Sequence, residues 1–315
     1  MFVSEFLAVA SAFCIALSSM LISELKGRVP LIQLARWQWL AAFAMTAVVS
    51  AVIGGWHSVG LAQFGLLAAS SVFGIAIGGT TYFAAIYTAG PRVTALLFSL
   101  TSPFALALGY LALGETITGQ QALGVALVLC GVVLAIGGPE RFLKPIISPR
   151  ALLVISPTTT PPTVAPEPLL TGPLWPGVAL GVITAICQAL GSLLARPAMA
   201  SGVEPFTAMG VRSGLAALFF VALIAFPVGR ATRAAWQPAL VALAVASAFV
   251  GTGLGMSFLM AALHSGDVGI VSTLSSISPV LILPMVWLRN GEKPVWQAWL
   301  GALLAIVGVA LISLE

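Results

Sequence analysis

The sequence predicts an all-α integral membrane protein with ten transmembrane helices, arranged as two inverted repeats of five helices each. Three observations support this fold class. The chain has 315 residues, of which 60% are hydrophobic and only 7% are charged, whereas about a quarter of the residues in a soluble domain are charged. Its apolar residues form runs long enough to cross a bilayer. The second half of the chain also repeats the pattern of the first.

Ten apolar runs have the length that the hydrocarbon core of a bilayer requires, which is roughly 20 helical residues for a thickness of about 30 Å. We call them spans 1 to 10. Their predicted limits are Val3 to Leu25, Leu31 to Ile53, Leu61 to Tyr87, Val93 to Leu113, Ile117 to Ile136, Leu174 to Ala198, Phe206 to Phe226, Pro238 to Leu263, Val268 to Leu288 and Val295 to Leu314.

The end of each half carries the same short pattern with the same internal spacing. The first copy is Gly114-Glu115, Gln120, Gly124 and Gly131, and the second is Gly291-Glu292, Gln297, Gly301 and Gly308. A Ser-Pro pair precedes each copy, and Cys14 in span 1 matches Cys187 in span 6. Such self-similarity indicates two tandem copies of one structural unit.

An odd number of spans per unit decides how the two copies are related. A unit of five ends on the membrane side opposite to the one where it began, so its tandem copy enters the membrane upside down. We therefore predict one five-helix repeat over residues 1–137 and a second over residues 173–315. The intervening residues 138–172, which include Ser156-Pro157 and Pro161-Pro162, are predicted to form an extended or disordered Pro/Thr-rich linker.

The basic residues of the loops predict the orientation of the chain. Most fall on the side opposite the termini: Lys26, Arg28, Arg92, Arg141, Lys144, Arg150, Arg230, Arg233, Arg289 and Lys293. The positive-inside rule then places both termini outside and the linker in the cytoplasm. The net charge of +4 is thus a topology signal and does not indicate a nucleic-acid partner. The expected partner is the lipid bilayer, and the expected location is a bacterial inner (plasma) membrane.

Residues that are missing from the spans exclude several classes of protein. Cys14, Cys130 and Cys187 lie in apolar runs without a Cys-x-x-Cys spacing or a nearby histidine, so no metal site is predicted. His57 and His264 lie in loops, which leaves a Ser-His pair without its base. No Gly-Lys-Ser loop is present to bind a nucleotide. We therefore expect neither an enzymatic activity nor a cofactor. No acid occurs in the middle of a span, which argues against proton-coupled antiport of lipophilic cations.

A proline in each of spans 4 and 9 predicts a kink near the middle of the membrane. Pro103 and Pro279 each remove one helical hydrogen bond and free a carbonyl four residues earlier, at Ser99 and Ser275. Lipid cannot satisfy these oxygens, so water, a cavity or neighbouring helices must do so. The kinks are therefore either packed bends or hinges beside a central site.

Few polar side chains lie at membrane depth, and most hydroxyl groups bond to a carbonyl of their own helix. Gln188 is a stronger candidate because a buried amide is not satisfied so easily. Arg36 and Arg212 occupy matching places early in spans 2 and 7, where each either reaches the interface or contacts an anion. Gly74-x-x-x-Gly78 and Gly251-x-x-x-Gly255 predict close contacts between helices.

The duplicated Gly-Glu, Gln, Gly and Gly pattern, with a Ser-Pro pair in the preceding span, resembles the EamA-type repeat of the drug/metabolite transporter superfamily. The resemblance covers both halves and omits only the linker, which is longer and richer in proline than the connection expected in that family. It implies a ten-helix carrier with a central cavity between two inverted units. Many such proteins export amino acids or other metabolites. Within this family pattern, Arg36 and Arg212 match the arginine that is often found early in the second helix of each unit.

The resemblance implies a secondary transporter that moves a small neutral or zwitterionic metabolite by alternating access, with amino acid export favoured. We expect spans 1, 3, 4, 6, 8 and 9 to line the cavity. The residues expected to contact the substrate or shape its path are Ser18, Trp37, Tyr82, Ser102, Gln188, Ser275 and Ser278. A flippase for a lipid-linked sugar or a drug, and a non-transporting assembly or sensor protein, are the alternatives. A monomer is compatible with the sequence, which leaves the oligomeric state open.

Overall fold

The structure, a computed structural model, describes residues 2–113, 117–136, 146–147, 170–171, 174–225, 237–255, 258, 262, 274, 277–291 and 294–313. Six of the described helices are long and apolar enough to cross a membrane, and three shorter apolar helices accompany them. The chain forms the ten-span, all-helical fold that the sequence predicts.

The first half of the chain forms spans 1 to 5. Its helices are Phe2–Glu24 (span 1), Leu31–Ile53 (span 2), the 3-10 helix Gly55–Ser58, Leu61–Ser70 with the π-helical segment Ser71–Ile77 (span 3), Gly78–Phe98 (spans 3 and 4), Thr101–Leu113 (span 4) and Gly119–Ile136 (span 5).

The second half repeats this order. Its helices are Trp175–Ala200 (span 6), Pro205–Ala222 with the 3-10 turn Leu223–Ala225 (span 7), Pro238–Ala248 with the π-helical segment Phe249–Gly255 (span 8), Ser278–Asn290 (span 9) and Trp296–Ser313 (span 10). Most of the predicted end of span 8 and start of span 9 lies outside the described residues.

The ends of span 2 and span 7 follow local chemistry. Span 2 stops where Gly54 adopts a left-handed conformation with φ 76°, and its N–H bonds to the Ser50 carbonyl, which is how a glycine commonly ends a helix. Span 7 begins at Pro205, and Glu204 accepts hydrogen bonds from the backbone N–H groups of Phe206 and Thr207 at 2.9 and 2.6 Å. Glu204 therefore caps the helix N-terminus.

Spans 3 and 4 are separated at Gly90. The helix Gly78–Phe98 passes through this point, but Gly90 has φ 84° and ψ 165°, and Pro91 follows it. A straight helix over the 38 residues 61–98 would be far longer than the bilayer core is thick. The non-helical glycine divides this stretch into the two predicted spans.

The Ser-Pro pair of span 4 follows a break in the helix. Ser99 and Leu100 form a turn between two helical segments, and only Thr101 separates this turn from Ser102-Pro103. The Ser99 carbonyl is not left free, because it accepts a bond from the Ser102 backbone N–H at 3.4 Å. The turn therefore satisfies the oxygen that the proline was predicted to release.

The Ser-Pro pair of span 9 lies at the start of the described helix. Ser278 and Pro279 are the first two residues of the helix Ser278–Asn290. A proline in the first turn of a helix removes an N–H group that has no helical partner in any case. Ser275 lies outside the described residues, so its carbonyl stays a prediction.

In the described residues, a π-helical segment occurs at the equivalent place of each repeat. Ser71–Ile77 in span 3 and Phe249–Gly255 in span 8 overlap the two Gly-x-x-x-Gly motifs. A π-helical turn carries an extra residue and often marks a functional site. Sequence reasoning did not predict these segments.

The repeats pack so that equivalent glycines meet equivalent partners. A Cβ built at Gly78 in span 3 would lie 3.3 Å from the Cβ of Cys187 in span 6. A Cβ built at Gly255 in span 8 would lie 3.4 Å from the Cβ of Cys14 in span 1. The matched cysteines and glycines of the sequence are therefore one helix interface that the protein uses twice, as two inverted repeats require.

The predicted linker contains the only short strands among the described residues. Ile146–Ile147 and Leu170–Thr171 pair in antiparallel orientation. The remaining linker residues lie outside the described part of the chain. The limits of the linker and its role stay predictions.

Candidate functional site

A cavity of about 600 Å³ lies between spans 2, 3, 6, 7 and 8. Its walls are mainly apolar, and Met45, Met199, Met209, Phe206 and Phe249 contribute to them. A cavity of 300–1,000 Å³ with few polar groups is typical of small-molecule sites. Because it involves the end of span 6 and the start of span 7, it lies in the half of the molecule that holds the termini.

Arg212 is the one charged side chain among the described residues that line the cavity. Its Nε atom is buried and has no hydrogen-bond partner. No carboxylate in the described ranges forms an ion pair with its guanidinium. Within the described part of the chain, the cavity therefore contains a cation without a counter-charge.

Span 3 contacts both the main chain and the side chain of Arg212. The Ser71 hydroxyl donates to the Arg212 carbonyl at 2.6 Å. A Cβ built at Gly74 would lie 3.0 Å from Nη2 of Arg212 and 3.8 Å from Oε1 of Gln188. The π-helical segment of span 3 thus supports the arginine, and the missing side chain at Gly74 leaves room for it. Gln188 lies at the same glycine although it does not line the cavity.

The opposite half of the molecule contains a tightly packed region. A cluster of buried residues, which we call the sealing cluster, joins spans 1, 2, 3, 7 and 8 and consists of Ile22, Leu25, Val29, Leu34, Ala35, Phe83, Ile86, Phe220, Leu240 and Ala244. Each of these side chains is 8% exposed or less.

The sealing cluster and the cavity use equivalent positions of the two repeats. The two repeats can be aligned span by span on three residue pairs: Cys14 with Cys187, Arg36 with Arg212, and Gly74 with Gly251. In this alignment, three residues of the sealing cluster are equivalent to three residues that line the cavity. These pairs are Ile22 with Ala195, Phe220 with Ala44, and Ala244 with Leu67. These equivalent positions therefore belong to the sealing cluster in one half and to the cavity wall in the other, where Leu67 and Ala195 also pack in a smaller buried cluster.

Arg36 lies in the packed half. Its Nε donates to the carbonyl of Phe220 at 3.1 Å and so joins span 2 to span 7. Its repeat partner Arg212 lines the cavity and makes no such bond. The two arginines that the sequence pairs are therefore in different environments.

Three of the predicted substrate residues lie at or near the packed half. The Ser18 hydroxyl donates to the Ser247 carbonyl at 2.8 Å. The Tyr82 hydroxyl and the Ser19 hydroxyl are 2.7 Å apart, and Tyr82 and Trp37 both pack against the sealing cluster. None of these side chains lines the cavity in this conformation, and their contact with a substrate stays a prediction.

The remaining predicted residues lie in spans 4 and 9. Ser278 donates to the Ala12 carbonyl of span 1 at 3.2 Å. Ser102 is half-buried and Pro103 is buried, as is Pro279. Ser275 is outside the described residues. Their roles as substrate contacts and hinges stay predictions, and the structure brings neither Ser102, Pro103, Ser278 nor Pro279 to the cavity.

Spans 3, 6 and 8 line the cavity as the sequence argument expected, but spans 2 and 7 line it as well, and no described residue of spans 1, 4 and 9 does. That argument followed polar residues, whereas most of the residues in the walls are apolar. The sequence did contain a signal that spans 2 and 7 line the cavity, because Met45 and Met209 lie in the same spans as the paired arginines. Methionine is common at adaptable binding surfaces.

The comparisons with known proteins agree with this fold. The model of the EamA-like transporter family matches residues 3–137 and 175–314. No curated protein sequence matches the chain. Solved structures do match, with 22 chains, and one of them, titled only as the crystal structure of a protein, has a TM-score of 0.62 and 18% sequence identity over 99% of this chain and 95% of its own. At that identity the likeness concerns the fold alone. The two matched segments cover most of the chain and divide it into the two repeats, and the chain belongs to the EamA-like transporter family.

Proposed function

We propose that the protein is a secondary transporter that moves a small neutral or zwitterionic metabolite across the membrane by alternating access, with amino acid export as the favoured activity. One observation carries this proposal. Equivalent positions of two inverted repeats line a cavity in one half and form the sealing cluster in the other. Exchanging the two arrangements would open the opposite side, which is the basis of alternating access in inverted-repeat transporters.

The contents of the cavity support a metabolite as the substrate. Its volume of about 600 Å³ suits a molecule of the size of an amino acid. Arg212 offers donors for a carboxylate, and Thr252 adds a hydroxyl group on span 8. The apolar side chains leave room for an uncharged body.

The test is a ligand screen followed by transport. Purified protein is heated with amino acids, nucleosides and sugars, because a ligand that binds the folded state raises the melting temperature Tm. Each ligand that does so is then used in a counterflow assay with liposomes. We expect at least one amino acid to raise the Tm and to exchange across the membrane. Binding without exchange for every ligand would contradict the proposal.

A flippase for an amphiphilic lipid or drug is the second candidate, and one observation favours it. Val48 and Phe249 line the cavity from spans 2 and 8 and are 64% and 48% exposed. In a bilayer these faces meet lipid, so an amphiphile has a route to the cavity from the membrane. A dithionite assay with fluorescent phospholipids in the same liposomes separates the two functions. Bleaching of inner-leaflet lipid would favour the flippase.

A further inference from the structure

Among the described residues that line the cavity, the guanidinium of Arg212 is the charged group. Burying a charged group without a partner is costly, and proteins usually pair such groups. The Nε atom of Arg212 is buried without a partner, and the described residues provide no carboxylate for the side chain. A bound anion would supply the missing partner.

The local geometry leaves the arginine free to make that contact. The main chain of Arg212 is held by the Ser71 hydroxyl, and its side chain lies over Gly74, where no Cβ intervenes. Its repeat partner Arg36 uses its Nε on the Phe220 carbonyl. The two positions therefore differ at the Nε atom, which bonds to a carbonyl in Arg36 and has no partner in Arg212.

We propose that Arg212 is the anion subsite of the cavity and that the substrate class is small carboxylates with an apolar body, for which an ammonium group is not required. This rests on the proposed transport function. A planar guanidinium binds a carboxylate through two parallel hydrogen bonds. One positive charge balances one negative charge, so a monoanion fits this subsite better than a phosphate dianion.

The rest of the cavity decides what the body of the substrate is. Met45, Met199 and Met209 are flexible and polarisable, and Phe206 and Phe249 add aromatic surface. These side chains accept aliphatic, sulfur-containing or aromatic groups and offer nothing to a sugar ring with many hydroxyls. The substrate body is therefore apolar.

No described residue of the cavity wall is an acid. Glu204 is close in sequence, but its two carboxylate oxygens accept hydrogen bonds from the backbone N–H groups of Phe206 and Thr207. It serves as a helix cap and is not among the residues that line the cavity. A substrate ammonium group thus gains no ion pair, and a carboxylate without an amine binds as well as an amino acid does.

The test uses four aromatic probes that differ in charge: 3-phenylpropionate, L-phenylalanine, phenethylamine and phenyl phosphate. Binding to the purified full-length protein is measured by calorimetry and by the shift in Tm. We expect 3-phenylpropionate and L-phenylalanine to bind with similar affinity, and phenyl phosphate and phenethylamine to bind more weakly. In Arg212→Gln the Kd of the two carboxylates rises by about 10- to 100-fold, the loss expected for a charge-assisted pair. Phenethylamine binds as well or better, because a repelling charge is gone.

Two further variants keep the test decisive. Arg212→Lys retains the charge but loses the planar fork, so its carboxylate affinity lies between wild type and Arg212→Gln. Arg28→Gln alters an exposed loop arginine and leaves all four affinities unchanged. Without a ligand, Arg212→Gln has a higher Tm than wild type, because an unpaired buried charge has been removed.

The outcomes separate this inference from the transport proposal. If L-phenylalanine exchanges across liposomes and Arg212→Gln has no effect on it, the anion subsite is wrong and the transport function stands. If the carboxylates bind through Arg212 and no solute is exchanged, the subsite stands and the transport function fails. If phenethylamine binds as tightly as 3-phenylpropionate, or no probe binds, the proposed substrate class is wrong.

Discussion

Gly131 of span 5 packs directly against the backbone of Gly301 of span 10. A Cβ built at Gly131 would lie 2.5 Å from the Gly301 carbonyl oxygen, and one built at Gly308 would lie 2.5 Å from that of Gly124. These four glycines are the duplicated glycines of the sequence pattern. Each copy meets the other in antiparallel order, so the repeated motif forms one interface between the last spans of the two repeats.

Gly131→Ala should destabilise this interface. The new methyl group meets main-chain atoms, which cannot rotate away, so spans 5 and 10 must separate. Overpacking of this kind costs about 1–3 kcal/mol. We expect a lower Tm for the purified protein in detergent. Gly119→Ala is the matched control, because Gly119 begins the same helix and has open space around its Cβ position. Equal Tm values for both variants would contradict the interface.

Gly74→Ala should weaken transport at the cavity. Its Cβ would lie 3.0 Å from Nη2 of Arg212 and 3.2 Å from the Cα of Gly191. The arginine must move, and spans 3 and 6 must shift apart. We expect a higher KM for transport of the substrate and a lower Tm.

Gly65→Ala is the control for this variant. Gly65 lies in the same span with nothing within 4 Å of its Cβ position. Replacing a helical glycine there is worth about 0.5–1 kcal/mol of stability and should leave KM unchanged. A KM that rises equally in both variants would show that Gly74 has no special relation to Arg212.

Gln188→Ala tests the predicted polar contact in span 6. The Gln188 side chain lies at the same glycine as Arg212, at 3.8 Å from the built Cβ of Gly74. We expect its removal to raise the KM of transport, since an amide beside the anion subsite is lost. Gln297→Ala, on an exposed face of span 10, should behave as wild type. An unchanged KM in Gln188→Ala for every substrate would remove Gln188 from the site.

Cysteine labelling tests which half of the molecule is open. In a background without the native cysteines, Met209→Cys in the cavity should react with a membrane-impermeant thiol reagent added on the side of the termini. Ala244→Cys, at a fully buried position of the sealing cluster, should stay unlabelled from either side in this conformation. Faster labelling of Ala244→Cys than of Met209→Cys would reverse the assignment of the open half.

The orientation of the termini is a separate prediction. The loop charges place both termini outside, so alkaline phosphatase fused to the C-terminus should be active in intact bacteria and a fluorescent protein fused there should be dark. The opposite result would show that both termini lie in the cytoplasm. It would also make the cavity face the cytoplasm.

Spans 1, 2, 5, 6 and 10 were predicted well, because hydrophobic length and repeated spacing depend on local residues and on the thickness of the bilayer. The pairing of Arg36 with Arg212 and the glycine motifs also came from the linear pattern. The break at Gly90 and the two π-helical segments did not, since many glycines occur in this chain and only their packing distinguishes them.

The amino-acid order alone was enough for the repeat, its inversion and the family, since duplicated spacing and an odd number of spans leave one arrangement. It did not reveal the location of the cavity. Equivalent positions such as Ala44 and Phe220 have opposite surroundings, and the repeat pattern treats them alike. The tilt and packing of the spans against one another decide which half is closed and which half is open. This long-range packing places Arg212 at the cavity, whereas Arg36 bonds to the Phe220 carbonyl.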